Sequence, residues 1–316
     1  MKTKIIAVAG PTASGKTSLA IEIAKRVGGE VISNDSMQIY RGMEIGTAAP
    51  TVEEMQGIPH HMVGVCDPSE EFSCADYAAR ARAIIDEVQA GGKVPVFCGG
   101  TGLYLDSVLS VSDLSEGEKD EAVRARLTSL AEREGAAALH ERLRAVDPQA
   151  ADAIHMNNVR RVVRALEIYE TTGITKTEWD RRSKERELPY DVKMAIIEFS
   201  SRELLYSRID KRVHLMMEAG LLSEVRSLFE RDLLTSDKPA FQAIGYKEFI
   251  PYFRGEASLE ECIAQVQLAS RRYAKRQQTW FRRYDSAIRL VADEGGSLKS
   301  ASDLCDEFLE RSEFLR

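Results

Sequence analysis

No apolar run in this 316-residue sequence approaches the roughly 20 residues that a bilayer-crossing helix requires, so no membrane-spanning helix is expected. Cysteine is sparse: Cys66, Cys74, Cys98, Cys262 and Cys305 are scattered, odd in number and without CxxC spacing. That pattern argues against a disulfide framework or a zinc site and points to a reducing cytoplasm. Met1-Lys2-Thr3-Lys4 runs straight into a strand-like segment with no small-residue cleavage site, so no secretory signal is expected. Net positive charge is also missing. The formal charge is -7, so a polyanionic partner would be repelled on average and could bind only at local basic patches. Internal repeats and low-complexity linkers are absent too. What is present is an ordinary globular balance, 44% hydrophobic and 29% charged, on a chain long enough for one large domain or two modest ones.

The hydrophobic pattern alternates in type along the first third of the chain. KIIAVAG (4–10) is a short apolar run ending in glycine, the form of a buried parallel strand. Gly15–Val27 follows as a helix with Leu19, Ile23 and Val27 on one face. EVISND (30–35) predicts a second strand, residues 75–90 a helix stopped by Gly91-Gly92, and VPVFC (94–98) a third strand closed by Gly99-Gly100. Strands alternating with helices predict a parallel sheet covered on both faces. From about Val111 the pattern changes, and residues 113–190 predict helices only, including Glu121–Glu134, Ala136–Val146 and Asn158–Thr171. Alternation returns with MAIIEF (194–199), and AIRLV (287–291) could be a last strand. The expected architecture is therefore an α/β core, residues 1–112 and 191–316, interrupted by an all-helical domain at 113–190.

Gly10-Pro11-Thr12-Ala13-Ser14-Gly15-Lys16-Thr17 fits the phosphate-loop pattern G-x-x-x-x-G-K-[ST], with a strand before it and a helix after it. Glycines let backbone amides turn toward phosphate oxygens, the helix N-terminus adds partial positive charge, Lys16 adds a full one, and Thr17 can help hold Mg²⁺. The bland alternative is a glycine-rich turn that merely joins strand to helix. Ligands of open α/β sheets sit beyond the carboxyl ends of the strands, where Asp35 and Thr101 both fall. A carboxylate there could be a general base, a metal ligand or a helix cap, and placement alone does not choose. Asp67 follows the apolar run Met62–Val65 and could be a Walker-B-like magnesium ligand, although Pro68 beside it favours a plain turn. A small-molecule kinase would share most of these features. It fits poorly with a third strand that ends in GGTG instead of an acidic residue.

Basic residues cluster twice. RRYAKRQQTWFRR (271–283) holds six basic residues and no acidic one. Helical spacing puts Tyr273, Gln277, Trp280 and Tyr284 on one face and Arg272, Arg276 and Arg283 on another. A second cluster, Arg160, Arg161 and Arg164, lies on a helix whose apolar face is Val159, Val162, Val163, Leu166 and Tyr169. Such runs are either solvated helix faces or phosphate-tracking stripes. His60-His61 lacks a Cys or carboxylate cluster beside it, which favours a structural or substrate-pocket role over a metal site. His155 and His214 carry no local signal.

Six segments together resemble the bacterial tRNA dimethylallyltransferases, also called tRNA isopentenyltransferases. They are GPTASGKT (10–17), SNDSMQIYRGMEIGTAAP (33–50), GGTGLY (99–104), ELLYSRIDKRV (203–213), AIGYKE (243–248) and AKRQQTWFRR (274–283), in the family's order across nearly the whole chain. The resemblance implies a P-loop NTPase-like core with an inserted helical tRNA-binding domain, without the C-terminal zinc-finger extension of eukaryotic members. It implies dimethylallyl diphosphate as co-substrate, Mg²⁺, and an acceptor adenosine next to the anticodon on its 3′ side.

The resemblance also implies roles. Gly10 to Thr17 would hold the donor's diphosphate, so the loop grips a leaving group instead of a nucleotide. Asp35 would take the proton from, or hydrogen-bond, the N6 amino group; Thr101 would help fix the geometry, and Lys16 and Arg212 would add positive charge at the diphosphate. The anticodon stem-loop would be met by Asp35, Ser36, Met37, Gln38 and Thr101, by Val159, Arg160, Arg161, Val162 and Val163, and by Gln242, Ala243, Ile244, Gly245, Tyr246 and Lys247. Lys275, Arg276, Gln277, Gln278, Thr279, Trp280, Phe281 and Arg282 would complete that contact. A cytoplasmic monomer is expected. The nearest rival is prenyl transfer to a free adenylate, as in cytokinin synthesis, against which the helical insert and the basic helix weigh. A phosphotransferase or ATP-driven binding module is the more distant one.

Overall fold

The computed structural model describes residues 2–109, 120–185, 189–294 and 297–315. Two compact units divide the chain: Met1–Val108 with Tyr190–Arg316, and Leu109–Pro189. Each is built around its own buried apolar cluster.

The first unit is a six-stranded, wholly parallel sheet in the order β3-β2-β4-β1-β5-β6. In chain order it runs β1 (Thr3–Ala9), α1 (Lys16–Val27), β2 (Gly29–Ser33), the single turns α2 (Glu44–Thr47) and α3 (Val52–Met55), and β3 (His60–His61). There follow α4 (Cys74–Ala90), β4 (Val94–Cys98) and α5 (Gly102–Leu109). The strands are near-continuous apolar runs because both faces are covered. Ile6, Val8, Val31, Val96 and Ile197 face α1 and the C-terminal helix through Leu19, Ile23 and Phe308, while α4 packs on β2 and β4 across the sheet. Local signals set the helix ends. Ser73 and Asp76 form a capping box for α4, and Gly28, at φ 65°, closes α1 by donating to Ala24 O.

The second unit contains α6 (Glu121–Glu134), α7 (Ala136–Val146), α8 (Pro148–Ala153), α9 (Val159–Thr172) and α10 (Lys176–Glu185). Leu127, Leu130, Leu139, Leu143, Val162 and Leu166 make its core. Glu167 is fully buried there. It is held by Arg124 at 2.9 Å, Arg164 at 3.1 Å and the Asp120 amide at 3.1 Å. Residues 113–119 and 186–188 of the expected helical domain lie outside the described residues.

The chain then returns as β5 (Tyr190–Glu198), α11 (Arg202–Glu218), α12 (Leu221–Glu230), two short 3₁₀ turns (Pro239–Gln242 and Lys247–Phe249) and α13 (Ile250–Phe253). It ends with α14 (Leu259–Phe281), β6 (Ile288–Val291) and α15 (Ala301–Ser312). Two of the expected strands differ in their bounds, and β3 was not expected. β5 begins at Tyr190 and pairs with β1 from Thr3 onward, its polar Asp191 and Lys193 masking the strand's first half. β2 stops at Ser33, leaving Asn34 and Asp35 in the loop beyond it. His60-His61 is an edge strand on β2, with His60 Nδ1 at 2.8 Å from Ile58 O and His61 Nε2 at 2.7 Å from Glu30. The pair is structural.

Candidate active site

The phosphate loop leaves β1 at Gly10, where φ is 145° and an added Cβ would lie 2.9 Å from Ile197 O. It enters α1 through Gly15 at φ 92°. Between them Ala13 adopts φ 62°, a conformation unfavourable for a residue with a Cβ. Arg208 of α11 supports it by donating from Nε to Ala13 O at 3.0 Å. Lys16 Nζ donates to Pro11 O at 2.7 Å, so the loop closes on its own lysine. Among the described residues, Ser14 Oγ is buried with no hydrogen-bond partner.

This loop lines a cavity of about 700 Å³ together with Asp35, Gln38, Arg208, Lys211, Arg212 and Tyr273. Arg208 and Arg212 stand one turn apart on α11 and so share a face. Four cations therefore line the same cavity as the loop: Lys16, Arg208, Lys211 and Arg212. Burial pushes the Lys16 ammonium down to about 8 and Arg212 acts in the same direction, while Cys98 and Asp35 oppose. Burial also lowers Arg212, against the stabilising charge of Asp35. Such crowding of desolvated positive charge favours a bound polyanion.

A second cavity, about 430 Å³, shares Thr12, Asp35, Thr47, Arg212, Met216 and Tyr273 with the first and adds Met37, Ile209, Val213, Ile244, Val266 and Arg276. Asp35 thus stands on the wall common to both. Its Oδ1 accepts from the Met37 amide at 2.9 Å, a local turn contact that leaves Oδ2 uncommitted to that turn. Thr101 lines neither cavity. Its Oγ1 accepts from the Ser36 amide at 3.1 Å, while its backbone exchanges hydrogen bonds with Asn34, fixing the Asp35 loop from behind. Tyr273 lies against Thr101 and Gln277. Burial, with Asp35 acting the same way, pushes its phenol up to about 12, so it is a neutral hydroxyl at the site.

Several sequence-predicted contacts are turned inward. Val162 and Val163 belong to the core of the second unit and present no side chain to a partner, and Arg164 is paired with buried Glu167; Arg160 and Arg161 are exposed. Gln277 is 4% exposed and bridges the Thr12 amide and Gly100 O, while Phe281 is 1% exposed. Trp280 packs over Gly102, where an added Cβ would come within 2.1 Å of the indole. Ala243 and Tyr246 are buried as well. The exposed face of this helix is instead Arg272, Lys275, Arg276, Thr279 and, just past its end, Arg282 and Arg283. Helical period shows which residues share a face, not whether that face meets solvent or protein. Asp67 is a half-buried turn residue accepting from the Ser69 amide at 2.9 Å, and it lines neither cavity. Arg208, Lys211 and Tyr273 carried no expected site role; the i, i+4 spacing of Arg208 and Arg212 was the available signal.

No cluster of three His, Cys, Asp or Glu side chains fit to hold a metal occurs among the described residues. Mg²⁺ bound chiefly by phosphate oxygens and water needs only one or two protein donors. The Thr17 hydroxyl, which lines the larger cavity beside orphaned Ser14 Oγ, fits that requirement.

The family described as IPP transferase matches residues 38–284, and the isopentenyl transferase family matches residues 3–64. A tRNA dimethylallyltransferase of Geobacillus thermodenitrificans is 50% identical over 283 residues, covering 89% of this chain and 88% of that protein. One from Halalkalibacterium halodurans is 48% identical, covering 89% of each. Among solved structures, the tRNA isopentenylpyrophosphate transferase of Bacillus halodurans superposes with a TM-score of 0.70 at 42% identity, over 99% of this chain and 96% of that one. A eukaryotic dimethylallyltransferase acting on tRNA gives 0.77 at 32% identity, over 88% and 70%. A phosphate loop on a parallel sheet, a carboxylate on the shared wall and these matches over nearly the whole chain lead to one conclusion: the chain belongs to the IPP transferase family, that of the tRNA dimethylallyltransferases.

Proposed function

We propose that the protein transfers a dimethylallyl group from dimethylallyl diphosphate to N6 of the tRNA adenosine on the 3′ side of the anticodon, releasing diphosphate. The observation that carries this reading is the place of Asp35, on the one wall shared by a cation-lined cavity and a second, partly apolar one. The diphosphate lies against the loop amides, Lys16, Arg208 and Arg212. The allylic carbon then meets the acceptor nitrogen beside Asp35.

The adenine N6 lone pair is delocalised into the ring, so attack needs a good leaving group and a poised base. The nitrogen lone pair forms the new N–C bond as the allylic C–O bond breaks. The electron pair of that bond leaves with diphosphate, and the N6 proton passes to the Asp35 carboxylate. Fixed cations aimed at the departing oxygens are the electrostatic contribution that is often largest. Thr17 would hold Mg²⁺, which would supply further charge neutralisation at the leaving group. Reaching the site requires the adenosine to leave its stack, at a cost of a few kcal/mol. Exposed Arg272, Lys275, Arg276 and Arg282, with Arg160 and Arg161 of the second unit, offset it by gripping phosphates. We read the protein as a cytoplasmic monomer, acting where its tRNA substrate is found.

The test uses purified protein, Mg²⁺, dimethylallyl diphosphate and unmodified tRNA with an adenosine run beside the anticodon, read by nucleoside mass spectrometry. A prenyl mass gain on that adenosine, lost in Asp35→Ala and absent with AMP, is expected. Gain on AMP alone would move the chain to adenylate prenylation, and turnover of ATP without prenyl transfer would make it a phosphotransferase.

A further inference from the structure

Helix α2 has no side-chain cap of its own: Met43 stands at its N-cap position and makes no such bond. The missing acceptor comes from Glu224 of α12, nearly 180 residues away in sequence. Its carboxylate accepts from the Ile45 amide at 2.8 Å and the Gly46 amide at 2.9 Å. The hydroxyl of fully buried Tyr246 lies 2.8 Å from the same carboxylate and 2.9 Å from Met43 O. Gly46 sits flat on that phenol, since a Cβ there would come within 2.5 Å of the ring.

The contact leads on to the reacting centre. At the other end of α2, the carbonyls of Thr47 and Ala48 accept from Gln38 Nε2 at 3.2 and 3.1 Å. Gln38 Oε1 accepts from Ser33 Oγ at 2.8 Å. Asp35 lies on the loop between Ser33 and Gln38, so a continuous series of hydrogen bonds joins α12, α2 and both ends of the Asp35 loop. Glu224 and Tyr246 line neither cavity, whereas Gly46, Thr47 and Asp35 do.

We propose that Glu224, with Tyr246, is a positioning residue for prenyl transfer, capping α2 from outside and thereby holding the Asp35 loop in its reactive place. The assignment rests on the reading of Asp35 as the base. A carboxylate suits the task because it accepts from two amides and a hydroxyl at once, and a backbone helix end binds an anion better than a neutral group. Among the described residues no hydrogen bond or ion pair joins Glu224 to the phosphate loop or its cations, so the diphosphate's main anchors should stay in place when the latch is broken.

The test compares Glu224→Ala, Glu224→Gln and Tyr246→Phe with the wild type. In Glu224→Ala, amide exchange at Ile45 and Gly46 should speed by about tenfold or more while α1 and α14 stay protected. The kcat for tRNA prenylation should fall about 10–100-fold with the KM for dimethylallyl diphosphate unchanged, the scale of a small misplacement of reacting groups. Glu224→Gln, which keeps one acceptor oxygen, should fall between. The decisive comparison adds Asp35→Asn: if Glu224 acts through Asp35, Glu224→Ala should cost little further activity in that background. Wild-type kcat in folded Glu224→Ala, or in Glu224→Gln should the alanine variant not fold, overturns the proposal, as does full additivity with Asp35→Asn. If the wild type prenylates nothing, the reading of the activity fails on its own, and unchanged exchange at Ile45 and Gly46 would still sink the latch.

Discussion

Thr12 and Gln277 stand 265 residues apart and are joined by a 2.8 Å hydrogen bond from the phosphate-loop amide to the glutamine side-chain oxygen. The nitrogen of the same side chain donates to Gly100 O at 3.2 Å, so one buried amide holds two loops of the site on helix α14. Replacing it by alanine leaves two backbone groups without this partner. Gln277→Ala is expected to cost about 1–3 kcal/mol of stability and to raise the KM for dimethylallyl diphosphate. Gly100→Ala should do the same, because its Cβ would lie 1.9 Å from Gln277 Nε2. Thermal melts and donor titrations check both.

Lys16 makes a pH prediction with a definite sign. Its folded pKa, about 8, lies below its ordinary value of 10.5. The unfolded chain therefore holds this proton more tightly, and the unfavourable contribution is complete below about pH 8 and relieved as pH rises from 8 toward 10.5. A bound diphosphate favours the protonated amine and opposes that loss. Donor affinity should accordingly weaken as pH rises through about 8, by up to about tenfold per pH unit. Lys16→Arg, which stays charged, should flatten the profile in a calorimetric titration.

Asp35→Asn keeps the shape and the Met37 turn contact but removes the proposed base. Its kcat should drop by about 10²–10⁴ with donor KM little changed. Thr101→Val removes the acceptor for the Ser36 amide and the hydroxyl's contacts with Ser36 Oγ and Tyr273, and should cost less. Single-turnover rates with saturating tRNA separate the two; an Asp35→Asn enzyme at wild-type rate would remove Asp35 from the mechanism.

The exposed cations of α14 and its end should act through phosphates. Arg276→Ala and Arg282→Ala are each expected to weaken tRNA binding and to reduce the slope of log affinity against log salt by about one. Phe281→Leu should leave that slope unchanged and lower stability, since Phe281 is buried. Filter binding across a salt series distinguishes them.

In the second unit, Glu167→Ala should destabilise by about 3 kcal/mol, because Arg124 and Arg164 lose the buried carboxylate that neutralises them. Tryptophan fluorescence from Trp179 in α10 during urea unfolding would report it; a shift under 1 kcal/mol would mean water replaces the carboxylate.

Much of this protein is written locally. The phosphate loop needs only consecutive residues: two glycines at positive φ, a lysine and a threonine between an apolar strand and an amphipathic helix. The capping boxes at Ser73, Ser258 and Ser300 are equally local, three residues from donor to acceptor. Periodicity exposed the parallel strands and the helical middle of the chain because burial on two faces, or on one stripe, repeats within a few residues. β3 escaped because two residues cannot display a period.

The orientation of shared faces was decided only by packing. The basic stretch 271–283 shows one polar and one aromatic face, but nothing within it says that Gln277 and Phe281 turn into the protein while Arg276 turns out. The same holds for Val162 and Val163, and for Tyr246, whose phenol is buried under α2. Glu224 carries no motif, and its meaning arises when α12 brings it to amides nearly 180 residues away. By itself the sequence determined most of the elements and the phosphate loop and offered candidates for the reactive groups, because backbone sterics and near-neighbour spacing are local. Which groups meet around Asp35, and what holds them there, was left to the tertiary structure, because long-range contacts follow from the packing of whole elements and leave no period in the chain.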